Sequence, residues 1–120
     1  MAATLRKSER LCGLTAIAGL MEHGKGGTAG CLRYKYLRNE GAEVSRILVS
    51  VPKRSFKRAV KRNLLKRRIR ESYRLQKDLL PVPVDIAFVY TSREVLPFAD
   101  IFASMTEALK AVGEKTETVL

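Results

Sequence analysis

The sequence has no tryptophan, one histidine and two cysteines, Cys12 and Cys31. Two cysteines give neither a disulfide framework nor metal-ligand spacing, so both read as reduced, small apolar residues of a cytoplasmic protein. The lone His23 sits beside a glycine-rich stretch and has no Cys or carboxylate partner spaced for metal or acid–base chemistry. No apolar run approaches the roughly 20 residues that cross a bilayer. Arg6, Lys7, Glu9 and Arg10 interrupt the N-terminal apolar stretch, so no signal-peptide layout is expected there. Acidic residues are also scarce, 12 against 23 Lys and Arg. These absences argue against a membrane-spanning chain, a disulfide scaffold and a self-sufficient hydrolase.

What is present is a core's worth of apolar residues, 46% of 120, and a net charge of +11. That length suits one domain, expected over 1–120, with an extended lead-in at 1–10 and a loose tail at 114–120. The charge is concentrated. The segment "KRSFKRAVKRNLLKRRIRESYR", residues 53–74, holds 11 Lys and Arg and a single acid, Glu71. The rest of the chain is almost neutral. A local field of this kind calls for a polyanion, and nucleic acid is the first candidate.

Periodicity supplies the elements. Thr15 is placed to cap a helix reaching about His23, with Ile17, Leu20 and Met21 on its apolar side. "HGKGGTAG" reads as a turn or loop. "CLRYKYLR" alternates Leu32, Tyr34 and Tyr36 against Arg33, Lys35 and Leu37, the pattern of a half-buried strand. "NEGAE" reads as a hairpin connection to "SRILVSVP", where Ile47, Val49 and Val51 share a face. A long helix is expected from about Phe56 to Leu79. "VDIAFVYT" is a strand with Val84, Ile86, Phe88 and Tyr90 on one side. A closing amphipathic helix carries Phe98, Ile101, Phe102, Met105, Ala108, Leu109 and Val112, with Gly113 placed to end it. The order is α-β-β-α-β-α, an α+β layered domain.

At about 100° per residue, Arg62, Lys66, Arg70, Asn63, Arg74 and Arg67 fall within roughly 140° of the basic helix. Leu65 and Ile69 lie toward the other side, ready to pack on a sheet. Lys66/Arg70 and its neighbouring i,i+4 pairs repel, each costing about 0.2–0.5 kcal/mol, and Glu71 offsets part of this, for example against Arg67 or Arg68. A fold that keeps such a face gains when an anion arrives. Asn63, a poor residue for a helix interior, offers an amide to a phosphate, a 2′-hydroxyl or a base edge. Lys53, Arg54, Lys57 and Arg58 precede or open the helix, where backbone N–H groups add to the pull on phosphate. Glu40 and Glu43 read as solubilising loop residues.

"SVPKRSFKRAVKRNLLKRRIRESYRL" resembles the signature region of the protein subunit of bacterial ribonuclease P. Arg62, Asn63, Lys66, Arg67 and Arg70 match its R-N-x-x-K-R-x-x-R pattern, and the element order agrees from "LRKSERL" to the closing helix. The resemblance implies a small sandwich like ribosomal protein S5 domain 2, ordered α-β-β-β-α-β-α, with a left-handed βαβ crossover around the basic helix. Its extra strand has room only at "GGTAGC". It further implies a ribonucleoprotein that removes the 5′ leader of precursor tRNA. The catalytic RNA subunit would carry the active site and its Mg²⁺, with no catalytic or metal-ligating residue in the protein and no obligate protein partner. Arg62, Asn63, Lys66, Arg67 and Arg70 would then face the catalytic RNA. Lys53, Arg54, Arg58 and Arg93 would line a cleft for the single-stranded leader, with Ile17 and Met21 bordering it and Tyr34 or Tyr36 placed to stack a base, although core packing is the default reading for either tyrosine. Two positions depart from the family pattern. Leu64 stands where arginine is frequent, and Ile17 and Met21 stand where aromatics are frequent, which leaves apolar contact in place of stacking. Other readings of the same residues are a generic basic nucleic-acid module, a binder of membrane surfaces or acidic proteins, and an autonomous nuclease. The last two are disfavoured by the missing aromatics on the helix and the missing catalytic groups.

Overall fold

The computed structural model describes residues 9–11, 13–39 and 41–117. The lead-in before Glu9, Cys12, Glu40 and residues 118–120 lie outside that set. The elements run α1 (Leu14–His23), β1 (Lys25–Ala29), β2 (Leu32–Arg38), β3 (Arg46–Ser50), α2 (Ala59–Arg74), a 3-10 turn (Lys77–Leu79), β4 (Val84–Tyr90) and α3 (Phe98–Glu117). The strands form one mixed sheet in the order β1-β2-β4-β3. β1 and β2 are antiparallel, as are β2 and β4, while β3 and β4 are parallel and joined through α2.

One sheet face carries the main core. Leu32, Tyr34 and Tyr36 of β2, Ile47 and Val49 of β3, and Val84, Ile86, Phe88 and Tyr90 of β4 meet Leu65, Ile69 and Tyr73 of α2 and Ile101, Met105, Leu109 and Val112 of α3. Each fully buried Leu, Ile or Phe there contributes about 1.5–3 kcal/mol. The opposite face is covered only in part. Leu11, Ala16, Ile17 and Leu20 pack on Leu37, Leu48 and Ala87, so α1 caps one end of that face. Lys35 fastens it by donating from Nζ to the Met21 carbonyl in the last turn of α1.

Several expectations change. "NEGAE" is no hairpin, because β4 inserts between β2 and β3; the Asn39 N–H instead donates to the Pro83 carbonyl at 3.0 Å. The glycine-rich stretch forms β1, the extra strand that the resemblance implies, which turns into β2 at Gly30 with φ 54°. A side chain at Gly30 would also meet Ser104 Oγ at 2.2 Å, so the turn demands glycine twice over. Thr15 makes no cap; Gly13 holds the N-cap position of α1. Helix α2 is shorter than its pattern. The Ser55 and Phe56 N–H groups donate to the Pro52 carbonyl in a turn, Arg58 is extended, and buried Phe56 leans on Tyr90. Gly113 does not end α3. It lets the helix pass close to the backbone, since a Cβ there would meet the Leu79 carbonyl at 2.8 Å. The helix runs on to Glu117, with Thr116 buried and donating to the Val112 carbonyl at 2.9 Å, so 114–117 are not a loose tail.

Tyr73 is 1% exposed, and burial pushes its hydroxyl up to about 12. Between pH 10 and 12 the unfolded chain loses this proton while the folded one keeps it, so stability should fall as pH rises through that window. Burial also raises Tyr34, Tyr36 and Tyr90, so tyrosinate absorbance should appear late overall with Tyr73 last, and unfolding should begin inside the window; titration of all four tyrosines near pH 10 without unfolding would contradict this placement.

Candidate nucleic-acid interface

Helix α2 buries Leu65, Ile69, Ser72 and Tyr73 and turns its cations elsewhere. The single basic face expected from the sequence resolves into three groups. Asn63 and Arg67 are exposed on the outward side. Lys66 and Arg70 lie half-buried on a flank. Arg62, Arg68 and Arg74 are engaged within the protein. Arg62 Nη1 donates to the carbonyls of Phe56 at 2.7 Å and Lys57 at 2.9 Å. Arg68 Nη1 donates to the Leu96 carbonyl at 2.6 Å. Glu71 pairs with Arg74 rather than with Arg67 or Arg68, and the hydrogen bond from Arg74 holds its carboxyl below the usual range.

The flank gains a cation that the sequence reading missed. Arg10 forms a parallel bridge to Ile47 on the β3 edge, and the Leu11 N–H donates to the Ile47 carbonyl at 2.8 Å. The adjacent Glu9 carboxylate, buried, accepts from Lys77 Nζ at 2.7 Å. Burial and then the charge of Arg10 lower the pKa of Arg70. Two arginines brought together in this way favour an anion between them.

A second basic surface lies on the sheet face that α1 leaves open. Arg33 is in register with Val89 and Lys35 with Ala87, all directed away from the main core. Arg33, Lys35, Val89 and Met21 line a hollow of about 550 Å³ at the edge of α1. Arg33 and Val89 also line the next hollow, with Arg54, Arg93 and Thr91. Arg58, Lys57 and Lys61 share a third with Arg93, which stands between the two. Lys53 is exposed on the same loop.

The structure thus brings Arg54, Arg58, Arg93 and Met21 along one continuous open surface. Tyr34 also borders the first hollow, but it gives that surface little of its ring. Tyr34 is 5% exposed on the main-core face, in register with Phe88 and Gly27, so its ring is core. Tyr36 shares that face. Ile17 is half-buried in the small cluster beneath α1 and packs rather than lines the groove. Arg33 and Lys35 take the places facing the groove. Their signal was legible, since alternation sets them opposite Leu32, Tyr34 and Tyr36; what it cannot tell is which face a helix leaves open.

A family model described as ribonuclease P matches residues 5–113. The chain belongs to the ribonuclease P protein family. The "Ribonuclease P protein component" of Porphyromonas gingivalis strain ATCC 33277 is 39% identical over 114 aligned positions, covering 88% of this chain and 83% of that protein. Among solved structures, the ribonuclease P protein of Staphylococcus aureus superposes with a TM-score of 0.77 at 23% identity, covering 88% of this chain and 95% of that one. The ribonuclease P protein of Thermotoga maritima gives 0.75 at 24% identity, covering 86% and 96%. These two likenesses establish the fold, a single α+β domain with a four-strand mixed sheet and three helices. Membership in the ribonuclease P family carries involvement in tRNA 5′ processing and, for a protein component, an RNA partner. Among the described residues no helix is long and apolar enough to cross a membrane.

Proposed function

We propose that this chain is the RNA-binding protein subunit of a ribonuclease P holoenzyme, working in the cytoplasm on the 5′ leader of precursor tRNA. The outward side and flank of α2, with Asn63, Lys66, Arg67, Arg70 and the added Arg10, dock on the catalytic RNA through phosphates and riboses. The open sheet face holds the single-stranded leader. Arg33, Arg54, Arg58 and Arg93 contact phosphates there, Lys53 adds charge at the rim, and Met21 gives a base an apolar rest. The observation that carries this reading is the division of the cations between two surfaces, one on a helix and one along the row of hollows that Arg33 and Arg93 link on the open sheet face.

Endonucleolytic chemistry belongs to the RNA in this reading, with its Mg²⁺. Among the described residues no three His, Cys, Asp or Glu side chains gather where they could share a metal ion. The protein's part is to raise local positive potential where two polyanions must approach each other.

If about six phosphates are neutralised, log affinity for the RNA should fall with log salt at a slope of about −4 to −5. Reconstituted holoenzyme should bind precursor tRNA with a leader more tightly than mature tRNA, and the protein should restore cleavage by its RNA at low Mg²⁺. Salt-insensitive binding would rule out the phosphate contacts, and equal affinity for the two substrates would point to a generic basic module instead.

A further inference from the structure

We propose that Arg62 and Arg68 are positioning residues that splint the leader groove from behind, rather than members of the RNA-docking surface. The inference rests on the functional reading above and deepens it. Beside Arg33 and Lys35 of β2, two loops supply the groove's cations: 51–58, bearing Arg54 and Arg58, and 91–97, bearing Arg93. Beyond the Thr91 N–H, which donates to the Cys31 carbonyl at 2.9 Å, neither loop belongs to a strand, and each is tied to α2 by one arginine. Arg62 Nη1 reaches the carbonyls of Phe56 and Lys57, at 2.7 and 2.9 Å. Arg68 Nη1 reaches the carbonyl of Leu96 at 2.6 Å. Charge-assisted bonds of this kind are among the stronger ones a loop can receive.

The two loops are also joined to each other. Phe56, 5% exposed, leans on Tyr90 with ring centroids 5.9 Å apart. The Tyr90 hydroxyl donates to the Glu94 carbonyl at 2.6 Å and accepts from the Leu96 N–H at 3.2 Å. The Glu94 N–H donates to Ser92 Oγ at 3.0 Å, which folds the turn carrying Arg93. One arginine therefore holds each end of a unit whose middle is Phe56 on Tyr90. A flexible leader gains affinity only when the cations that meet it are already fixed, because each side chain ordered on binding costs free energy. The helix that docks one RNA thereby sets the geometry that receives another.

The test compares Arg62→Ala and Arg68→Ala with Arg67→Ala, whose side chain is exposed. In the free protein, amide hydrogen exchange should speed by about tenfold at 54–58 in Arg62→Ala and at 93–96 in Arg68→Ala, with no change there in Arg67→Ala. In reconstituted holoenzyme, Arg62→Ala and Arg68→Ala should lower the preference for leader-bearing over leaderless substrate about fivefold, with affinity for the catalytic RNA kept within about threefold. Arg67→Ala should do the reverse. Unchanged exchange overturns the splint. Faster exchange with the leader preference intact overturns its role in binding. A wild-type holoenzyme with no leader preference would instead sink the functional reading, and the exchange result would stand apart from it. Should Arg62→Ala fail to fold, Arg68→Ala carries both measurements.

Discussion

With Lys66, Arg67 and Arg70 all replaced by alanine, affinity for the catalytic RNA should fall about 100-fold at roughly 0.1 M salt. The log–log salt slope should become shallower by about 2 to 3, since that many fewer counterions are released. These side chains lie outward or on the flank of α2, while Leu65, Ile69 and Tyr73 anchor the helix from the other side. The substitutions remove the like-charge Lys66/Arg70 pair and add the best helix former, so the thermal midpoint should hold or rise. That separates lost docking from lost fold. Binding at wild-type strength with an unchanged slope would remove α2 as the docking surface. Filter binding across a salt series, with a melting curve for each protein, makes both readings.

The largest expected loss of stability is at Asp85. This carboxylate sits in β4, the strand that divides β2 from β3, and is 6% exposed. Arg46 of β3 meets it in a fork, Nε to Oδ1 at 2.9 Å and Nη2 to Oδ2 at 2.7 Å. Asn39, just beyond β2, donates to the same group at 3.4 Å. One residue thus ties the segments on both sides of β4. Asp85→Ala removes the forked acceptor of a part-buried guanidinium and the acceptor of Asn39, and should cost about 3 kcal/mol, lowering the thermal midpoint by about 10 °C. Arg46→Met with Asp85→Leu should recover most of that loss, because the desolvation of both charges disappears with them. Urea melts of the single and double variants measure this. A single-variant loss under about 0.5 kcal/mol would mean that the pair behaves like an exposed surface bridge.

The reading of α2 shows how far a helical wheel reaches. Angular position correctly put Leu65 and Ile69 inward and left Asn63 and Arg67 outward. It could not see that Arg62 and Arg68 curl onto carbonyls of neighbouring loops, since those loops have no fixed place in a wheel. Nor could it find Arg10, whose place beside the flank depends on the N-terminal segment lying along the β3 edge. Tyr34 illustrates the converse. Its alternation with Arg33 and Lys35 was plain, and the core claims that side of β2, so Tyr34 meets the first hollow only at its edge.

Composition and periodicity by themselves determined the three helices, three of the strands and the residues that each strand buries. Those properties follow from spacing along the chain, which burial of apolar side chains converts directly into a face. They also pointed the concentrated cationic segment toward a polyanion, because Glu71 is the single acid within it to relieve the repulsion. Only the tertiary structure decided that β4 enters between β2 and β3, that glycine-rich β1 completes the sheet edge, and which cations share a groove. Strand pairing and side-chain convergence depend on contacts between residues distant in sequence. A local pattern is the same whichever partner lies opposite.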